Sequence, residues 1–209
     1  MNDDILLKPF LPYDEVEESL CWRVCETPPT RDFYTLLEDL HVVFGSGFVW
    51  TLKEIAAHSE FKPLPNDANI YTVGGETAKD YDNLLNAARK AVEHGYRVFI
   101  LPNPKGIRTA DFIFERKGVF KMFDLKTIMG KASVSNRLLE SIGQTNRVLL
   151  NMNVDYNPIA LARNIKKYFE KNSNAVEIMI FKGHKILSVI REDTENKNFH
   201  KLFIAKYIK

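Results

Sequence analysis

The chain has 209 residues, 45% of them hydrophobic and 27% charged, which supplies apolar material for one core or one core plus a small second unit. No run reaches the roughly 18 apolar residues of a membrane span, and the opening MNDDILLKPF lacks the basic and apolar regions of a signal peptide, so a cytoplasmic chain is expected. The net charge of +2 conceals a division: residues 1–60 hold 12 acidic and 4 basic side chains, which leaves 25 basic and 15 acidic in residues 61–209. A basic surface of that kind favours a polyanionic partner, although composition alone is equally met by a solvated surface with none.

In chain order, residues 1–68 read as a separate, mostly helical unit, and residues 69–209 as the main domain. A first helix begins at Tyr13–Val16 with Val16, Leu20 and Val24 on one side and ends at Pro28-Pro29. Cys21 and Cys25, the only cysteines, share a face of it and read as small buried hydrophobes. Thr30 or Asp32 is placed to cap a second helix through Leu40. Gly45-Ser46-Gly47 lacks the Lys-Ser/Thr of a phosphate-binding loop and reads as a turn. Trp50–Ala57 fits a short helix or a strand. Lys62–Asn66, with two prolines, is the candidate linker.

Ile70–Val73 reads as a strand. A helix follows from about Glu76 or Thr77 to Glu93, with Tyr81, Leu84, Leu85, Ala88 and Val92 at helical spacing and Gly95 as its stop. Tyr96–Leu101 reads as a buried strand, and Pro102–Gly106 as a loop. Asp111–Lys126 then gives two strands joined at Lys117-Gly118. With these two residues as the turn, Arg116 faces Val119, Ile113 faces Met122 and Asp111 falls opposite Asp124. A bulge at Gly118 would shift that register by one. Further on come a turn at Met129–Lys131, a helix over about Val134–Ile142 and a strand over Arg147–Met152. A helix starting at Pro158 runs through Phe169, a hairpin over Val176–Arg191 turns at Gly183, and a last helix spans Phe199–Tyr207. This order predicts an α/β fold with a mixed central sheet flanked by helices.

The Asp111–Lys126 hairpin carries the candidate chemistry. Opposed side chains in such a pair sit roughly 5 Å apart, where like charges repel, and Lys126 projects from the same face as Asp124. Two carboxylates and an amine gathered there make sense around a divalent cation, Mg²⁺ or Mn²⁺. The plainer reading is an ordinary Asp124–Lys126 surface pair. His58 and His184 stand in no metal-ligand spacing and read as incidental.

Helix, strand, Asp, then Asp-x-Lys on the next strand and a further helix resembles the PD-(D/E)xK nuclease superfamily. Ala110-Asp111 stands where the family has Pro-Asp, and Asp124-Leu125-Lys126 matches the second half. More narrowly, residues Gly74–Gly118, Met122–Ile128 and Asn136–Met152 resemble the CdiA-type C-terminal toxin domains of contact-dependent growth inhibition, which are tRNA nucleases on such a core.

The resemblance implies a restriction-endonuclease-like core and a metal-dependent endonuclease acting on RNA, with tRNA favoured. Asp111, Asp124 and Glu76 would be metal ligands, with Asp80 as the alternative helix carboxylate. Lys126 and Gln144 would be the other site residues. Lys105, Arg108, Lys131, Arg137 and Arg147 flank the hairpin as candidate phosphate contacts. Glu76 equally fits a first-turn acid facing the helix dipole, and Gln144 a polar residue after a helix. A toxin context implies delivery into a target-cell cytoplasm and a cognate immunity protein, acidic where it meets the basic part. The alternatives are a DNA endonuclease of restriction or repair type, and a catalytically silent, phage-associated interaction module on the same core.

Overall fold

The computed structural model describes residues 31–40, 46–74, 81–103, 109–130 and 134–209. Asp32 starts α1 (Phe33–Asp39), its carboxylate accepting from the Thr35 N–H as an N-cap does. α2 (Ser46–Ala57) begins inside the stretch expected to be a turn and settles the helix-or-strand question for Trp50–Ala57. Arg31 bonds both Asp39 of α1 and Glu54 of α2.

The expected linker is instead β1 (Lys62–Leu64), which pairs antiparallel with β2 (Asp67–Thr72) around Pro65-Asn66. Pro63 is tolerated within it because β1 is an edge strand, and Pro65 falls in the turn. The expected boundary at residue 68 therefore falls inside β2.

From β2 the chain passes through α3 (Tyr81–Glu93) to β3 (Arg97–Ile100), parallel to β2. Gly95, at φ +80°, turns the chain out of the helix. β4 (Phe112–Arg116) and β5 (Val119–Ile128) form the hairpin, in the register that the sequence predicts, without a bulge. Its turn residues, Lys117 and Gly118, both have positive φ (56° and 81°), as a type I′ turn requires. The Gly118 N–H donates to Glu115 Oε1 at 2.8 Å.

α4 (Val134–Glu140) leads to β6 (Arg147–Met152), and α5 (Pro158–Lys171) to β7 (Glu177–Lys182), with β5, β6 and β7 parallel. Asn157 caps α5 and Pro158 occupies its first turn. β7 turns at Gly183 into β8 (Lys185–Ile190), antiparallel to it. A short α6 (Arg191–Glu195), which the sequence reading lacks, precedes α7 (Phe199–Ile208).

The eight strands lie in chain order in one mixed sheet, so the fold is α/β as expected. Side-chain alternation then assigns the helices to faces. α3 covers one face, over Val98, Ile100, Phe112, Phe114, Leu149 and Leu125. The other face carries two apolar clusters. α1 and α2 pack over Phe99, Ile113 and Met122. α4, α5 and α7 pack over Ile128, Val148, Leu150, Ile178 and Ile180. On β5 the side chains of this face run Met122, Asp124, Lys126, Ile128. Met122 belongs to the first cluster and Ile128 to the second, so Asp124 and Lys126 occupy the seam between them.

Candidate functional site

β5 changes partners midway. Val119–Phe123 pair with β4, and Asp124–Ile128 pair with Val148–Met152 of β6. Asp111 stands just before β4, at this fork. Its N–H donates to Phe123 O (3.0 Å), and its carbonyl accepts from Leu101 N (2.9 Å). Its carboxylate accepts from the Leu125 N–H at 2.6 Å, beyond the last β4–β5 backbone pair. Asp111 thus satisfies a backbone donor and is held firmly by it. Thr145 fixes the other branch. Its hydroxyl donates to Met122 O (3.3 Å) and accepts from Arg147 N (3.3 Å), at the start of β6.

The Asp124 side chain is 3% exposed and that of Lys126 12%. Lys126 Nζ donates to Asp124 Oδ1 at 3.2 Å and lies 2.9 Å from Oδ2, off the hydrogen-bond direction, which leaves the buried Oδ2 without a hydrogen bond. Burial pushes the Asp124 carboxyl up to about 7, and the Asp111 carboxyl, within hydrogen-bonding reach, adds to the rise against the downward pull of Lys126. Two carboxyls this close share a proton more readily than both ionise. Tyr168 of α5 reaches toward the same point. Burial raises its phenol, the Asp124 charge adds to that, and its hydroxyl is held by Ser141 Oγ (3.2 Å) and Asn172 Nδ2 (3.0 Å).

A divalent cation fits this donor set. A buried carboxylate oxygen lacks a hydrogen bond, and two carboxyls converge with one amine against Asp124. Asp111 and Asp124 would be the residues to hold it, since a hard cation accepts two carboxylates completed by water. Among the described residues no group of three or more His, Cys, Asp or Glu is gathered.

The structure therefore brings Asp111, Asp124 and Lys126 together and disperses other expected site residues. Arg147 is not a surface phosphate contact. All six side chains of β6 are buried, and Arg147 donates from Nε to Glu177 Oε2 at 3.1 Å. Gln144 donates from Nε2 to Glu140 O (3.3 Å) at the end of α4, not to either carboxylate. Arg137 pairs with Glu140 at 2.9 Å on the α4 surface. Glu76, Asp80, Lys105, Arg108 and Lys131 lie outside the described residues. α3, which the sequence reading extends back to Glu76, packs on the face opposite Asp124. Tyr168 and Ser141 carry no sequence signal of their own, since helical spacing reads Tyr168 as core.

No family model and no curated protein matches the chain. Among solved structures it is similar to a CdiA-CT/CdiI toxin and immunity complex from Burkholderia pseudomallei, with 17% identity and a TM-score of 0.40, over 56% of this chain and 89% of that one. So loose a likeness carries no argument, and the site is read from its own geometry.

Proposed function

We propose that this protein is a divalent-metal-dependent nuclease that hydrolyses phosphodiester bonds in RNA, with tRNA the favoured substrate. The observation that carries the reading is the meeting of the Asp111 and Asp124 carboxyls at the β5 fork with the Lys126 amine beside them. The preference for RNA rests on the sequence resemblance to CdiA-type domains, which also implies a toxin and a cognate immunity partner.

Asp111 and Asp124 would hold Mg²⁺ or Mn²⁺, which when bound supplies an acidified water and a counter-charge for a phosphate oxygen. The chain's own groups do the rest. Lys126, largely buried and fixed by Asp124, offsets charge that builds on the phosphate. Asp124, whose carboxyl burial pushes up to about 7, is suited to take up a proton from attacking water. The bond between Asp111 and the Leu125 N–H keeps the first carboxylate from swinging away.

Incubation with tRNA and with duplex DNA in the presence of Mg²⁺ tests the reading. Cleavage of tRNA, abolished in Asp124→Asn, is expected. Cleavage of DNA alone would replace RNA by DNA in the same chemistry. Undiminished cleavage by Asp124→Asn would sink the assignment. No cleavage of either substrate, with no calorimetric Mn²⁺ binding, would leave a catalytically silent module.

A further inference from the structure

The sheet ends in two unlike edges. β1 is short and carries Pro63, a usual means of keeping an edge from pairing. β8 reads KILSVI over Lys185–Ile190, longer and without proline. Its two-residue turn at Gly183-His184 makes Lys182–Lys185 the closing hydrogen-bonded pair, so Lys185, Leu187 and Val189 bond inward to β7. Ile186, Ser188 and Ile190 turn their N–H and C=O groups outward. Asp193 takes the Ile190 N–H at 3.0 Å, and the outward main-chain groups of Ile186 and Ser188 have no partner among the described residues.

Beside this edge lies a groove floored by Leu187, Ser188 and Val189 and walled by Phe199, Leu202 and Phe203 of α7. α7 presents Phe199, Phe203 and Tyr207 to the core, yet Leu202 is 49% exposed and Ile208 64%. A helix that is apolar on its outer side as well has a second surface to bury. The charges of the groove are sorted by end. Where β8 exits, α6 sets exposed Glu192, Asp193 and Glu195 against Lys197, and Arg191 is spent on carbonyls at the end of α5. Where β8 enters stand exposed Lys185 and Lys206, because the neighbouring Tyr207 carbonyl accepts from Lys182, the strand partner of Lys185.

We propose that the β8 edge and α7 form the interface of a two-fold homodimer, in which β8 pairs antiparallel with β8 of a second copy about Leu187. In that register Ile186 of each copy opposes Ser188 of the other, so the free main-chain groups of both residues find partners without calling on Ile190. Leu187 opposes its own copy at a close, non-hydrogen-bonded position on the groove side of the ladder. The acidic end of each copy meets the basic end of the other. Such an interface uses one patch twice, as closed dimers do. Because the sheet forks at β5, the joined segment is β5–β8 taken twice, eight strands in all, within the usual size of an open sheet. None of this rests on the nuclease reading.

Sedimentation velocity of the protein, at loadings from about 1 to 100 µM, reads the mass. Twice the 24.1 kDa of one chain is expected. Leu202→Glu, a change on the helix surface, should weaken association by about tenfold or more. Lys185→Glu/Lys206→Glu should weaken it as well, and adding Glu192→Lys/Glu195→Lys should restore it. These five side chains are exposed, and melting curves check that the variants fold. With Cys21 and Cys25 replaced by Ser, Leu187→Cys should form a reducible dimer on mild oxidation, because opposed Cα atoms at such a position lie about 4.5 Å apart, within disulfide reach. Lys62→Cys, at the other edge, should not. A single-chain mass across the whole range would overturn the proposal, as would a dimer that neither Leu202→Glu nor the Lys-to-Glu reversal weakens. Failure of Leu187→Cys to cross-link, or cross-linking through Lys62→Cys in its place, would overturn it too.

Discussion

Asp124 and Glu177 are both buried carboxylates on parallel strands of one sheet, and both have a lysine in reach, yet their environments drive them apart. Burial alone would raise Glu177, but Lys121 (2.8 Å) and Arg147 (3.1 Å), with the Ser188 hydroxyl at 2.6 Å, hold it below the usual carboxylate range. Asp124 has one amine and faces a second carboxyl, so burial and repulsion take it up to about 7. Glu177 has more positive charge around it than it needs, and Asp124 has less. A complete set of partners marks a group that holds the fold together. A deficit of positive charge at a fixed, buried carboxylate is met by holding a proton or, on the proposed reading, by a cation.

The sharpest way to break that contrast is Glu177→Ala. It strands Arg147, whose side chain is 5% exposed, and should cost about 3–5 kcal/mol in chemical denaturation. The pairing contribution of Glu177 is present above the ordinary carboxylate range and is lost as pH falls through its lowered folded value, so the deficit of the variant should shrink in acid. A loss near zero at pH 7 would mean that the cluster is not structural.

Asp124→Asn should do the opposite. The folded state holds the Asp124 proton more tightly than the unfolded chain does. Its contribution is therefore complete below the ordinary value of 3.8 and is lost as pH rises through about 7. Without metal, the variant should be more stable than wild type at pH 8 by at most about 4 kcal/mol, less whatever Lys126 loses with its partner, and the gap should close toward pH 4. Melting curves across that range test the sign. Mn²⁺ at about 100 times its Kd should then raise wild-type stability by about 2.7 kcal/mol and leave Asp124→Asn unmoved. The smallest effect is expected at the turn. Lys117→Asn removes a side chain poorly suited to φ 56° and should gain up to about 1 kcal/mol, with both carboxylate environments unchanged.

The sequence makes the hairpin legible because its evidence is local. Lys117-Gly118 specifies the turn, the turn specifies the register, and the register places Asp111 near Asp124 and Lys126 on the same face. The helices starting at Asp32 and Pro158 announce themselves through their caps in the same way. What is not legible depends on neighbours distant in sequence. Arg147 reads as a free cation until Glu177, thirty residues on, is laid beside it by the β6–β7 ladder. Lys62-Pro63-Leu64 reads as a linker because prolines seldom enter strands, and only its place at the sheet edge makes them acceptable. Tyr168 meets Asp124 only after α5 folds back over the sheet.

The mid-strand exchange of neighbours along β5 has a mechanical consequence. Among the described residues, β5 is the strand whose backbone ladder joins the half-sheet β1–β4 to the half-sheet β6–β8. A shift of one ladder against the other at Phe123–Leu125 would change the gap across which the acids face each other. The Leu125 amide, clasped by a side chain rather than by a neighbouring strand, is the natural reporter of that motion in hydrogen exchange.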